Sequence, residues 1–513
     1  MSTRTSKIRF ELKRLSGFLK VFGRSKRGML GLAIITTFVV VAVCAPIITP
    51  YDPVSIVVTP KIAYKLSKPT WYRYLFPGEN VSENVDVTSD PYFRSADAIG
   101  KLNLEAGIHQ SSIHTEYIPN RGFPEGSGPR CMAIVFKRES EVVPYGEVSV
   151  NLTATFNYPY SFPPKQFLGA VAFFVDKPQN QSVRIDLVLE KTGDAGKRIT
   201  WASGDFRAGT GNWITPYPPI DSDDFYTREW LEETLGSEWF ASPAKVMFPK
   251  SGAYEFSVKI TLEDTVPGES TVTVYVDDFF LRLYGNSFGL LGTDEYQRDI
   301  FTQLVYGARI SLLIGLLTAF FTTIIGLTVG LTAGYVGGLA DQILMRFTDM
   351  LLVIPDTPLY IVLMAVLNPS IWTLVTLMTL IGWTGFARIS RSQALSLKER
   401  PFVEAAKAVG GGRFHIILRH ILPNVMSLVY VALATAVPSA IINEAWLSFL
   451  GLSDPTTMTW GKMLEGMSGE SEGILMWWWI IPPGLCIAAI SLSFILIGYA
   501  LDVILNPKLR ERH

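Results

Sequence analysis

Apolar residues gather into long runs separated by polar stretches, and the first extends from Met29 to about Ile48. A run of roughly twenty such residues is long enough to cross a ~30 Å hydrocarbon core. Further runs lie at about 309–333, 343–367, 370–387, 422–448 and 476–503, so six transmembrane helices are expected. The second run carries Gly315, Gly326, Gly330 and Gly334, small residues that allow close helix contact. Pro355 and Pro358 break the third. Residues 1–28 are basic, with nine Lys and Arg and Glu11 as the one acid. The run that follows is too long for a signal peptide and shows no clear cleavage site. It reads as a first transmembrane helix over 29–53, its N-terminus held in the cytoplasm by the positive-inside rule. Six spans then leave both termini cytoplasmic and residues 54–286 outside.

Residues 54–286 contain no spanning run. From about Arg130 to residue 285 the pattern changes to strand-like segments: Val148–Phe156, Leu168–Val175, Val183–Glu190, Ile199–Trp201, Tyr254–Leu262 and Thr271–Tyr284. Turn signals such as 191–196 and 266–269 separate them, which argues for an inserted extracellular β-sandwich or jelly-roll-like domain. Residues 223–236, with an acidic start and a Gly stop, read as one helix interrupting it. The last strand, Val274 to Leu283, looks like the closing strand of carbohydrate-binding jelly rolls. Trp201, Trp213, Tyr217, Trp230 and Trp239 are either core residues or platforms for sugar rings. Three glycosylation sequons begin at Asn80, Asn151 and Asn180.

Charge sharpens this division. The formal net charge of −1 conceals 30 acidic and 22 basic residues in 52–286, against 16 and 23 elsewhere. A basic membrane part and an acidic middle face different environments. Of the three cysteines, Cys44, Cys131 and Cys486, one lies in the middle region, so no disulfide forms within it. No phosphate-binding loop or metal-ligand cluster is legible, so no cofactor, no metal and no ATP hydrolysis by this chain are expected. His109 and His114, like His415 and His420, are five apart, a poor helical spacing for sharing one ion. Nucleic acid is not an expected partner. Arg346, Asp349, Asp356, Glu444 and Asp502 lie within or beside spans, where ionisable groups face a pathway or a helix partner. Arg346 and Asp349, three apart, are expected to pair.

The one long polar segment of the C-terminal half, 388–421, carries Arg388, Arg391, Lys398, Arg400, Lys407, Arg413 and Arg419. Within it Glu404-Ala-Ala-Lys-Ala-Val-Gly410 predicts a short helix, with Gly410 and its two following glycines as C-cap and turn. Two alanines leave a flat face that another protein can approach, and Glu404 sits early, where the helix dipole tolerates it. A second helix then enters the membrane after Pro423. This pattern resembles the cytoplasmic coupling loop of ABC importer permeases, with Glu404, Ala405, Ala406, Gly410, Leu422 and Pro423 at the matching places. His420 stands where that pattern has Ile.

The stretch from Leu291 to Ser311 closely resembles the signature before the second helix of the C-type permease subunit of dipeptide and oligopeptide importers. Gly292, Thr293, Asp294, Arg298, Asp299, Gly307, Arg309 and Ser311 all match. Physically it reads as an amphipathic lead-in at the membrane surface, capped by Thr293 or Asp294. Similar family segments follow at Glu444–Leu452, Trp460–Leu464, Trp477–Gly484 and Ala500–Pro507. The resemblance covers 29–53 and 287–510 and implies a type I ABC importer fold in the cell membrane, with the permease core in 287–513. It implies a second homologous permease, two ATP-binding subunits that use the ATP, and an extracellular solute-binding protein. Alternating access is the implied mechanism, with the Glu404 helix passing the ATPase movement to spans four and five. Di- or oligopeptides are the implied cargo, with oligosaccharides as the alternative. A membrane-anchored carbohydrate-binding protein and a channel are the readings from other classes.

Overall fold

The computed structural model describes residues 21–55, 61–107, 110–124, 130–138, 144–176, 182–191, 198–206, 212–214, 220–225, 228–229, 242–265, 267–468 and 476–505. Its contacts divide the chain into two units, Val57–Thr293 and the remainder.

The inserted unit is an antiparallel two-sheet sandwich. One sheet orders β3 (Ile113–Ile118), β4 (Cys131–Arg138), β11 (Ser270–Tyr284), β6 (Gln166–Asp176) and β9 (Ile220–Asp221), with β1 (Val85–Asp86) also on β11. The other orders β2 (Asn103–Ala106), β5 (Gly146–Tyr158), β10 (Gly252–Asp264), β7 (Ser182–Lys191) and β8 (Arg198–Phe206). Alternate residues of the long strands point inward, as the period of two requires. Val258, Ile260 and Leu262 of β10 thus meet Val274, Val276 and Leu281 of β11 in one core. Phe256 and Phe279 stack there at 4.9 Å, nearly parallel. Arg138 and Asp264, both fully buried, pair at 2.5 Å, and Tyr145 N donates to the same carboxylate at 2.9 Å. An unpaired charge at that depth is strongly destabilising, so removing either residue alone would be costly.

The six expected strands all form, mostly one or two residues longer at each end. β4 was not expected, although Cys131–Ile134 and Phe136 are buried and apolar. Nor were β1–β3 in the Pro-, Ser- and Asn-rich first part, where Phe93 enters the core. Most of the expected helix 223–236, Tyr217, Trp230, Trp239, the Trp201 side chain, His109 and Asn180 lie outside the described residues.

The helical unit holds α1 (Lys26–Ile48), α2 (Ile300–Val336), α3 (Gly338–Val353), α4 (Asp356–Val366), α5 (Ile371–Gly382), α6 (Thr384–Lys398), α7 (Pro401–Ala408), α8 (Leu422–Phe449), α9 (Trp460–Ser468) and α10 (Trp477–Leu505). Among the described residues four helices are long and apolar enough to cross a membrane: α1, α2, α8 with its preceding turns, and α10. A fifth span arises if α3 and α4, bent by 81° at Ile354–Pro355, count as one. The run expected at 370–387 divides at Trp383 into the apolar α5 and the polar α6. The glycines of α2 face its neighbours: a Cβ on Gly326 would lie 2.7 Å from Trp383 O, and one on Gly334 2.7 Å from Ala394 Cβ. Gly315 meets Ile441 of α8 in the same way. Asp349 pairs with Arg388 of α6 at 2.6 Å, not with Arg346 as expected, because the facing helix brings a guanidinium within reach.

Candidate functional site

Two constructions carry the residues singled out from the sequence. The first is the polar loop. α6 ends at Lys398, and Pro401, suited to a first turn, opens α7. Val403 is fully buried and joins Leu331 and Tyr335 of α2, Ala394 of α6, and Ile416, Ile421 and Val425 in one cluster. Lys407 Nζ sits 5.6 Å from the centre of the Tyr335 ring. With that face tied down, Glu404, Ala405 and Ala408 are exposed and Ala406 is partly buried. Gly410 takes φ +86°, and the bonds Gly410 N to Lys407 O (2.9 Å) and Gly411 N to Ala406 O (3.0 Å) close the helix.

Two large apolar side chains beside this face were missed: Val409, 89% exposed, and Phe414, 74% exposed. They flank the glycine turn, and apolar residues beside a polar, glycine-rich turn are the signal that could have found them. Leu422 and Pro423 begin α8 beyond a π-helical turn, Ile417–Ile421, so the helix is continuous through the proline. Single π turns inside helices are rare and recur at functional sites.

The second construction is the signature before α2. Gly292 has φ +75°, and Thr293 Oγ1 accepts from Ser67 N (2.9 Å) and donates to Tyr64 O (2.5 Å), all within the inserted unit. In the helical unit the buried Asp294 carboxylate gathers four donors: Arg298 Nε (2.7 Å), Arg298 N (2.8 Å), Tyr296 N (3.0 Å) and Gln303 Nε2 (2.6 Å). Asp299 N-caps α2, accepting from Thr302 N at 2.9 Å and Thr302 Oγ1 at 2.6 Å. The cap is therefore Asp299, and not Thr293 or Asp294 as expected. Gly307 and Ser311 receive α9: Trp460 N donates to Ser311 Oγ at 3.2 Å, and a Cβ on Gly307 would meet the Trp460 ring at 2.9 Å. Trp460 Nε1 donates to Leu304 O at 3.0 Å, and the residue is fully buried. Seven of the eight signature residues are thus fasteners. Arg309 is exposed, 5.8 Å from the Tyr306 ring, on a cavity of about 520 Å³ with Ala42, Val43 and Leu313.

Among the described residues no group of three His, Cys, Asp or Glu side chains could hold a metal ion. Neither construction presents a nucleophile–base pair. What they present is one exposed helix end and one rigid clamp.

Residues 326–511 match the family model of the binding-protein-dependent transport system inner membrane component. Residues 14–69 match the N-terminal TM domain of oligopeptide transport permease C. The dipeptide transport system permease protein DppC of Bacillus subtilis is 39% identical over 222 residues, 43% of this chain and 69% of that one. The oligopeptide transport system permease protein OppC of the same organism is 37% identical over 43% of this chain and 72% of its own. Among solved structures, the MetNI methionine ABC transporter in inward-facing conformations covers 41% of this chain and 96% of that chain at 16% identity and a TM-score of 0.30. TmCBM61 in complex with beta-1,4-galactotriose covers 38% and 97% at 9% identity and a TM-score of 0.21. At scores this low neither structural likeness carries weight. The identities to the permeases extend over more than two thirds of each relative, and they assign the family: the chain belongs to the binding-protein-dependent ABC importer permeases, among those of the oligopeptide permease C type.

Proposed function

We propose that this permease passes di- or oligopeptides through the cell membrane, driven through the Glu404 helix. It pairs with a second homologous permease and takes loaded solute-binding protein on the outer side. Two ATP-binding subunits on the inner side supply the energy. The relatives named as dipeptide and oligopeptide permeases support the cargo. In this reading α3 with α4 makes the third span and α5 with α6 the fourth, so the α7 loop is cytoplasmic, as are both termini, and the β domain is extracellular.

The observation that carries the coupling role is the one-sided anchoring of α7. Val403 fixes one face while the Glu404–Ala405–Ala408 face stays open beside Val409 and Phe414. Apolar knobs within a polar rim are what anchor one protein in a groove of another. Arg400, Lys407, Arg413 and Arg419 make that rim basic, so the groove is expected to be acidic. Glu404 takes a basic or backbone donor there, and losing a charged hydrogen bond costs ~1.5–3 kcal/mol. Gly410 holds a left-handed backbone that a β-branched residue resists. Glu404→Lys and Gly410→Val should therefore insert normally yet lose transport and substrate-stimulated ATP hydrolysis. The basal activity of the separate ATP-binding subunits should not change. Full transport by both variants at normal expression would make the loop a mere connector.

A further inference from the structure

We propose that the inserted β domain carries a binding pocket for one ring of a neutral, hydroxyl-rich sugar. The pocket lies between residues 86–94 and β11, has a volume of about 230 Å³, and is lined by Asp86, Thr88, Asp90, Tyr92, Phe280 and Arg282 among others. It is smaller than the roughly 300–1,000 Å³ of drug-sized sites, which suits a single ring.

The walls are built rather than incidental. β11 has an irregular register between Asp277 and Phe280, after which Leu281 and Leu283 enter the core and Phe280 and Arg282 stay partly exposed. The opposite wall is pinned. Phe93, at φ +46°, is buried in the core, and Phe279 N donates to Pro91 O at 3.0 Å. Asp278, at φ +48°, is a second non-glycine residue in the left-handed region beside the pocket. Such conformations persist where the surroundings hold them, and they cluster at ligand sites.

The chemistry selects the ligand class. Arg282 engages Asp86 through two nitrogens, one of them at 3.1 Å, and donates to Lys61 O at 3.2 Å. The guanidinium and carboxylate therefore already neutralise each other. With Asp90 and Arg94 the lining holds two acidic and two basic side chains and so no net charge to draw in an ion, whereas a hydroxyl can use the remaining lone pairs and N–H groups with the Arg282–Asp86 pair intact. Tyr92 and Phe280 add apolar ring surface for the C–H face of a sugar, and Arg94 lies 5.3 Å over the Tyr92 ring. Peptide transport does not enter this reading, so failure here leaves the permease assignment intact.

The test is made on the full-length chain in lipid nanodiscs, by saturation-transfer NMR. Trisaccharides of glucose, galactose, mannose and xylose are titrated, with trialanine as the zwitterionic comparator. At least one sugar should bind saturably. Asp86→Ala, at an exposed position, and Tyr92→Ala should each weaken it about tenfold, as expected for losing a charged hydrogen bond or a stacked ring. An unchanged unfolding midpoint of Asp86→Ala makes its result decisive even if Tyr92→Ala unfolds. Absence of saturable binding by every sugar, stronger binding of trialanine, or undiminished sugar binding by a folded Asp86→Ala protein would each overturn the proposal.

Discussion

Asp277 shows how a single residue sets a condition on the inserted domain. The residue is 2% exposed, and its carboxylate accepts from Phe123 N at 2.9 Å and Asp278 N at 2.8 Å. Burial pushes its pKa from the ordinary 3.8 up to about 7, against the pull of those two donors. The folded state thus holds a proton that the unfolded chain releases near pH 4. Stability from this group is fully present below pH 4 and is lost as pH rises through about 7. The unfolding midpoint of the β domain should accordingly rise as pH falls from about 7 towards 4, and Asp277→Asn should reduce that slope to the share left by Asp278, which burial pushes up to about 6. A midpoint that instead falls over this interval in the parent, and alike in the variant, would remove Asp277 from the account. In the sequence Asp277 and Asp278 are two polar residues in an apolar strand. Period-two alternation gives each a face but cannot say that the register shifts there, which leaves Asp277 buried and Asp278 half-buried. At Gly410 sequence and structure agree, because a glycine after an alanine-rich turn has a local reason for its backbone.

At the scale of elements, the packing of α2 on α6 rests on missing side chains. A Cβ on Gly330 would lie 1.9 Å from Ser390 Oγ and 2.4 Å from Ala387 O, and the Ser390 hydroxyl donates to Gly326 O at 3.0 Å. Arg391, one residue on, forks onto Asp341 of α3 at 2.5 and 2.7 Å. Gly330→Val must therefore push α6 away, and overpacking of this kind costs roughly 1–3 kcal/mol or more. The expected result is a lower unfolding midpoint and a reduced yield of solubilised permease. Gly385→Ala, on a face with nothing within 4 Å, should leave both unchanged. Equal behaviour of the two variants would show that the contact is slack. The glycine spacing of α2 was readable in the sequence because it is periodic. Its partner was not: α6 is polar, and hydropathy had merged its start with α5 into one span. Hydropathy reports what a helix can face, not which helix it meets.

For the whole molecule, the division into a helical part and a sandwich was legible because apolar runs and strand alternation have different periods. The order of strands was not, since pairing between distant segments leaves no local trace. The structure brings the two ends of the insertion together: Lys68 N donates to Asn286 O at 2.8 Å, and Phe288 N donates to Lys68 O at 2.8 Å. Insertions with adjoining ends are removable. Replacing residues 69–285 by a linker of about four residues, enough to span some 13 Å, should leave membrane insertion and co-purification of the ATP-binding subunits intact. It should also weaken capture of loaded solute-binding protein. Loss of the ATP-binding subunits would tie the domain to the core instead. The strand order has a further consequence, for synthesis. β11 is the last strand to emerge, yet it lies between β4 and β6 and also pairs with β1. Until residue 284 is delivered, β4 and β6 each lack a neighbour and their unpaired edges can recruit other strands. The domain therefore completes in one late step, and the interval before it is when a nascent chain most needs protection.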